Sequence, residues 1–572
     1  MKHWLAGIAL GAAMAAEAQP ALFVDGFEGA DPRNPRMGAA ALLHRATFGP
    51  TMAEIDRVVE LGPEAWIDEQ QSLPISWTRR GFDVLRERNR VECLEEDPTD
   101  PECDEGFLLQ EDRHSVWFQT VLTAEDQLRH RMAFALSQIL VVSQRDSILA
   151  DLAEPLAAYY DMLLAHSFGN FRDLLEDVTK SPVMGTYLSH VGNRKAVPEL
   201  NIRPDENYAR EVMQLFTIGL NQLDRDGTAL RDPAGLPIPT YGQAEVKAMA
   251  RVLTGWTFGD FDCDDFEFAE EGGDYILPMA PCEEYHDTDP KTIINGIELP
   301  ANQTADADLD LALDALFNHP NVGPFIGRRL IQRLVTSNPS PAYIERVAAV
   351  FADNGAGVRG DLGAVAKAIL LDPEAQAGTD GRVSFGKLRE PLLRLTNLWR
   401  TFDGRAETGE YYLDGQPEIQ GQAVLASPSV FNFFLPDYRP AGLSGAGLFA
   451  PEFQLASDDL LTANLNVIDI TARFLVAGSG WIEEERESEE DFDEFFPRLV
   501  LIHPTAELAL GADTDALLDR LDLLLLTGTM SPELRTALAG RLAALEEIDD
   551  PSYRLGETLS HIFMSPEYLI QR

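Results

Sequence analysis

A mainly α-helical protein, one large multi-helix domain with inserted loops and short β-hairpins, is predicted by three observations. Apolar residues recur at helical spacing over most of the chain. Helix-start signals such as Thr51-Met-Ala-Glu54 and Ser531-Pro532-Glu533 precede several of those stretches. Strand signals are few, and no repeat of fixed period points to a solenoid.

The elements follow in order. Residues 125–143 and 148–166 read as an antiparallel helix pair. Further helices are expected near 170–180, 204–218, 242–254, 306–317, 323–335, 341–353, 361–371 and 384–401. A last set falls at about 452–476, 505–526, 532–547 and 552–565. Between them, 220–241 carries Asp226-Gly227 and reads as a hairpin. Residues 257–300 and 403–420 read as irregular excursions, and the acidic run Glu483–Glu494 as a solvated loop. The domain covers 37–570, in one lobe or two.

The 572 residues carry 94 Asp and Glu against 46 Lys and Arg, a formal charge of −48. Only seven of the cations are Lys. Phosphate recognition needs clustered cations, so no nucleic-acid partner is expected. The acidity suits a strongly solvated surface, with divalent-cation binding as the alternative.

Residues 1–18 read as a signal peptide: Lys2 and His3, an apolar stretch Trp4–Ala15, then the small-x-small triplet Ala16-Glu17-Ala18. Residues 19–36 form a Pro/Gly/Asp-rich linker. No later segment reaches 18 uninterrupted apolar residues, so no transmembrane segment is expected in the mature chain. The destination is the periplasm, the cell surface or the medium. Four cysteines fall in two local pairs, Cys93 with Cys103 and Cys263 with Cys282, and local pairing closes the shortest disulfide loops. Neither pair has the spacing of a zinc site.

The densest polar signal is Arg203-Pro-Asp-Glu-Asn-Tyr-Ala-Arg-Glu-Val-Met-Gln-Leu-Phe-Thr-Ile-Gly-Leu220. Pro204 suits a first helical turn and Gly219 a helix end. Glu206 and Arg210 are one turn apart, as are Asn207 and Glu211. Glu206 and Glu211 diverge by roughly 140° around the axis, too far for a carboxylate dyad made by this helix alone. His286, Asp287 and Lys291, in a loop excursion, are the expected second wall. The competing interpretation is an ion network that ties helices together. Arg389-Glu390 offers an anion clamp or another structural pair. Trp256, Phe431 and Phe434 offer a sugar-stacking floor or core packing. Asp260, Asp262, Asp264 and Glu271 match acidic positions of a calcium loop, although Asp265 stands where the turn glycine belongs. Three sharper motifs fail: Gly355–Gly360 matches GxGxxG but follows a helix, Gly442–Ala446 lacks the last glycine of a nucleophile elbow, and no HExxH occurs.

Several islands together resemble the bacterial family called domain of unknown function 1800. They are Leu42-Leu-His-Arg-Ala-Thr-Phe-Gly49, Arg203–Glu211 with Leu215–Gly219, Leu253-Thr-Gly-Trp256, His286-Asp287 with Lys291, Arg389-Glu-Pro391, Ser427–Phe434 and Ser565–Tyr568. Asp205 stands where the family pattern usually has Asn. The resemblance implies a large, mostly helical exported protein, often encoded beside the domain of unknown function 1501 family, and it implies no established activity. Two functions remain in play. One is a hydrolase or modifying enzyme acting on an extracellular or cell-envelope polymer, with Glu206 or Glu211 as acid or base and Arg210 fixing charge. The other is a non-catalytic assembly or binding protein that works with the 1501-family product; a calcium-dependent surface adhesin is a third, narrower option.

Overall fold

The computed structural model describes residues 34–99, 103, 107–377, 384–412, 420–480, 482, 484 and 496–572. Residues 1–18, expected as a signal peptide, nearly all of the expected linker 19–36 and most of the run 483–494 lie outside these. The described chain is mainly α-helical, with three two-stranded antiparallel ladders.

The first helices are α1 (Pro35–Ala46), α2 (Met52–Leu61) and α3 (Pro63–Ser72). The start of α2 is the one read from sequence: Thr51 accepts from the Glu54 amide at 3.2 Å. After α4 (Phe82–Glu96) and α5 (Gln110–Thr123) comes α6 (Gln127–Ser137), buried at every position. It packs against α7 (Ala153–His166), the antiparallel pair expected at 125–166. Then follow α8 (Phe171–Lys180), α9 (Pro182–Tyr187), α10 (Asn207–Gln214) and α11 (Gln243–Val252). Next are α12 (Ala305–Phe317), α13 (Val322–Leu334), α14 (Pro341–Ala352) and α15 (Leu362–Leu371). The last are α16 (Pro391–Thr401), α17 (Asp458–Arg473), α18 (Thr514–Leu526), α19 (Pro532–Ala544), α20 (Pro551–Phe563) and α21 (Pro566–Leu569). One continuous apolar core runs from Ala39 to Tyr568. In it α13 packs on α6 and α14, α16 on α5 and α17, and α17 on α20.

Several helices are shorter than expected (125–143 stops at Ser137, 148–166 starts at Ala153 and 452–476 spans Asp458–Arg473), and three further stretches differ for reasons the structure shows. The helix expected at 204–218 is shorter, because Asp205 Oδ1 accepts from the Asn207 amide at 2.7 Å and holds Pro204 in the approach rather than the first turn. At its far end the chain does stop at Gly219 (φ +69°), where a Cβ would lie 2.7 Å from the Phe325 ring. The helix expected at 384–401 starts only at Pro391. Lys387–Leu388 (β5) instead pairs with Ile570–Gln571 (β6) near the end of the chain. The stretch 505–526 divides into Thr505–Ala509 and α18.

The loop excursions carry the remaining extended structure. In 220–241 the chain reverses twice, with bridges Leu223–Ala229 and Arg231–Pro237, so a three-piece meander replaces the single hairpin expected. In 257–300, Trp256–Thr257 (β1) pairs with Ala280–Pro281 (β2), and Lys291–Thr292 (β3) with Glu298–Leu299 (β4). Disulfides join Cys93 to Cys103 and Cys263 to Cys282, the local pairing expected. No described helix is long and apolar enough to cross a membrane.

Candidate functional site

Helix α11 organises the polar residues singled out in the sequence. Gln243, in its first turn, donates from Nε2 to Glu206 Oε2 at 2.6 Å. The same oxygen accepts from Arg210 Nη2 at 3.1 Å. Glu206 and Arg210 are both partly exposed, so their pairing contributes about 0–1 kcal/mol. Asn207 is exposed on the adjoining surface.

Eight residues further along α11, roughly 12 Å of helix, Arg251 grips Asp287. Its Nε and Nη2 donate to the two carboxylate oxygens at 2.7 and 2.8 Å. Burial pushes the Asp287 carboxyl up, but the bonds from Arg251 and the Asp289 amide prevail and hold it below the usual carboxylate range. Behind it, His286 and Lys291 meet a residue that the sequence reading did not single out, Asp308 of α12. Lys291 Nζ donates to Asp308 Oδ2 at 2.5 Å, and His286 Nε2 lies 3.2 Å from the same atom. Gln303 donates to the other oxygen at 2.7 Å, and His286 Nδ1 lies 2.9 Å from the Thr254 carbonyl. The remaining Lys291 protons go to the Asp287 and Asp289 carbonyls. His286 and Asp308 are fully buried and Lys291 nearly so. Burial pushes the Asp308 carboxyl up, yet the bonds from His286 and Lys291 outweigh it, and it titrates below its ordinary range.

The two groups of residues therefore sit at opposite ends of α11. Among the described residues no hydrogen bond or ion pair joins Glu206, Asn207, Arg210 or Glu211 to His286, Asp287 or Lys291. Asp308 did leave a trace in the sequence. It interrupts the apolar stripe Ala305, Leu309, Ala312, Leu316 of its helix, a charge where the core side should be apolar.

Glu211 stands apart. It is buried against the core on α10, and its Oε2 has no hydrogen-bond partner. Burial pushes its carboxyl up, opposed by the Arg210 charge. The Tyr241 hydroxyl nearby is also buried without a partner, and burial together with the Glu211 charge raises it. A third group, His190, donates from Nε2 to the Thr179 carbonyl at 2.8 Å and stacks on Tyr208 at 4.3 Å. Burial pulls it down to about 4, so it is neutral at pH 7.

The other candidates resolve as follows. Trp256 and Phe434 are core residues, and only Phe431 is exposed. Asp260, Asp262 and Asp264 are exposed; Asp260 Oδ1 accepts from the Asp274 amide at 2.9 Å. The Glu271 side chain lies outside the described residues. Among the described residues no three His, Cys, Asp or Glu side chains converge as a metal site would require.

What fold and site define together is a class: a large helical protein whose scattered polar motifs pair into separate clusters, some buried and some at the surface, around one core. More particularly, residues 41–570 match the family described as Protein of unknown function (DUF1800), and the chain belongs to it. No similar curated protein and no similar solved structure is found.

Proposed function

We propose that this chain is an exported, non-catalytic binding or assembly protein of the extracytoplasmic space. The observation that carries the reading is the pairing of the second-wall residues. His286, Lys291 and Asp308 satisfy one another in the core, and Asp287 is taken by Arg251, so none of them is free to meet a substrate. Export is supported by the two disulfides, which persist in oxidising compartments, and by the N-terminal leader. The meander 220–241 offers the contact surface. Leu220, Leu230 and Leu236 are exposed on it, at 55, 39 and 63 %, and exposed apolar side chains on an ordered excursion suit a protein partner.

The partner proposed is the product of the neighbouring 1501 family. Co-expression and affinity capture from the envelope fraction test this. Capture should survive in Glu211→Gln and fail in the double variant Leu220→Asp/Leu236→Asp. Equal capture by the double variant and the parent, or none by the parent, overturns the reading.

One observation favours a second reading, an enzyme acting on an extracellular or envelope polymer. A buried carboxyl that is raised and unpartnered, as Glu211 is, has the properties of a general acid. A cell-envelope polymer turned over by the parent and by Glu211→Gln at the same rate sinks it.

A further inference from the structure

The motif islands at 42–49, 389–391 and 565–568, some 520 residues apart in the chain, meet in the core and bring a concentration of cations with them. Arg389 Nε donates to the Tyr568 carbonyl at 2.8 Å, and its Nη1 donates to His44 Nδ1 at 3.0 Å. The Tyr568 hydroxyl donates to Asn397 Oδ1 at 2.9 Å. His44 Nε2 donates to the Leu524 carbonyl at 2.9 Å, so the imidazole is neutral and accepts from Arg389. Around this knot lie Arg45, Arg131, Arg333, Lys387 and Arg394, each 3 % exposed or less.

These are six buried cations counting Arg389, and guanidinium does not deprotonate in proteins. The buried carboxylates they meet among the described residues are two. Lys387 Nζ lies 3.0 Å from Glu390 and 3.2 Å from Glu452, and Arg333 feels the same two charges. Glu390 is already saturated: Gln138 and Gln422 donate to its Oε2 at 2.5 and 2.6 Å. The surplus is four positive charges, in a chain whose net charge is −48. Burying one uncompensated charge costs several kcal/mol even after relaxation.

Aromatic rings take part of the load. Arg131 lies over Phe48 and Phe134, Arg389 over Tyr568 and Arg333 over Phe434. Rings do not accept all the N–H groups, however. Arg131 Nε and Nη2, and Arg394 Nε and Nη1, are buried without a hydrogen-bond partner. Arg389 links the two. Arg131 feels the Glu390 carboxylate and, after it, the like charge of Arg389, and Tyr568 feels both Arg389 and Arg394. Buried N–H groups in native proteins are almost always satisfied, and planar guanidinium forks match the paired oxygens of an oxyanion.

We propose that Arg131, Arg389 and Arg394 enclose a small oxyanion, a phosphate, a sulfate or a carboxylate group, bound in the core as part of the folded protein. This gives residues from the first, middle and last parts of the chain a shared reason to converge here. It is independent of the assembly reading above, since the anion stabilises the fold whether or not a partner binds outside.

The test uses the full chain. Purified protein is dialysed exhaustively and unfolded in guanidinium chloride. The filtrate is then assayed for phosphate and sulfate by ion chromatography and for organic acids by mass spectrometry. Close to one equivalent of one anion per chain is expected, and its identity separates the mineral sources from a carboxylate. In a second arm, inorganic phosphate is titrated into stripped protein at constant ionic strength. The thermal midpoint should rise by about 2 °C or more at saturation, and by less than half as much in Arg394→Met or Arg131→Met. The conservative Arg131→Lys should retain charge and lose most of the effect. Release of less than a tenth of an equivalent of any anion, together with a phosphate response no larger in the parent than in Arg394→Met, overturns the proposal. Should the methionine variants not fold, release from the parent decides it alone.

Discussion

Replacing Asp308 with Leu removes the carboxylate that, among the described residues, Lys291 and His286 share inside the core. The Lys291 ammonium, 2 % exposed, then keeps only the Asp287 and Asp289 carbonyl oxygens. Breaking a buried ion pair from one side costs about 3–5 kcal/mol, because a charge remains without its counter-charge. Lys291→Met leaves the reciprocal problem, softened by His286 and Gln303, and should cost about 2–3 kcal/mol. The double variant removes both charges and keeps the volume apolar, so it should lie about 3 kcal/mol closer to the parent than the two single losses combined. In a chain of 572 residues the unfolding entropy is on the order of 1 kcal/mol per K, so a 4 kcal/mol loss moves the thermal midpoint by only about 4 °C. Urea unfolding followed by fluorescence of the seven tryptophans is therefore the better assay. The pH sign follows from the depressed Asp308 carboxyl: its contribution is complete above the ordinary Asp range and is lost as pH falls below about 4. Single losses below about 1 kcal/mol, or a double variant as unstable as the sum of the singles, would refute the reasoning.

His190 gives an acid-side prediction. Its folded value of about 4 lies below that of the unfolded side chain, so the unfolded chain binds more protons between pH 6.5 and 4. Stability should be complete above 6.5 and fall by up to about 3 kcal/mol through that window; His190→Gln should flatten the fall, as urea midpoints at pH 7 and 4.5 would reveal. Removing Cys263–Cys282, which closes a loop across 19 residues, by Cys263→Ser/Cys282→Ser should cost about 3 kcal/mol in urea unfolding, and reducing buffer, which opens Cys93–Cys103 as well, should cost more. Gly219→Ala should cost about 2–4 kcal/mol, since the residue sits at φ +69° and a methyl group would meet the Phe325 ring; an unchanged urea midpoint would contradict that contact.

Local rules located most of the helices because their causes are local. Thr51 caps α2 and Ser531 caps α19 through hydrogen bonds three residues long, and the amphipathic stripe of 171–180 needs no distant partner to be visible. The failures have non-local causes. β5 falls in a stretch whose pattern predicts helix, and what makes it a strand is a pairing with residues more than 180 positions later. The charge density of the polar helix 207–214 is plain in the sequence, and the i, i+4 pairing of Glu206 with Arg210 is visible in its spacing. Asp308, Arg251 and Gln243 could not be assigned to His286, Asp287 and Glu206 from spacing, since each partner lies on a different element. Charges set in apolar stripes, Asp308 on α12 and Arg131 on α6, were the one available signal of buried pairing.

The ladder between Lys387–Leu388 and Ile570–Gln571 has a consequence for biosynthesis. A ribosome adding about 5–20 residues per second delivers the second strand some 10–40 s after the first. Throughout that delay the edge at 387–389 faces water, and the amide and guanidinium of Arg389 lack their acceptors at Leu569 and Tyr568. The centre of the nascent chain thus stays open through roughly the last third of translation, and the molecule locks only when residues 570–571 emerge.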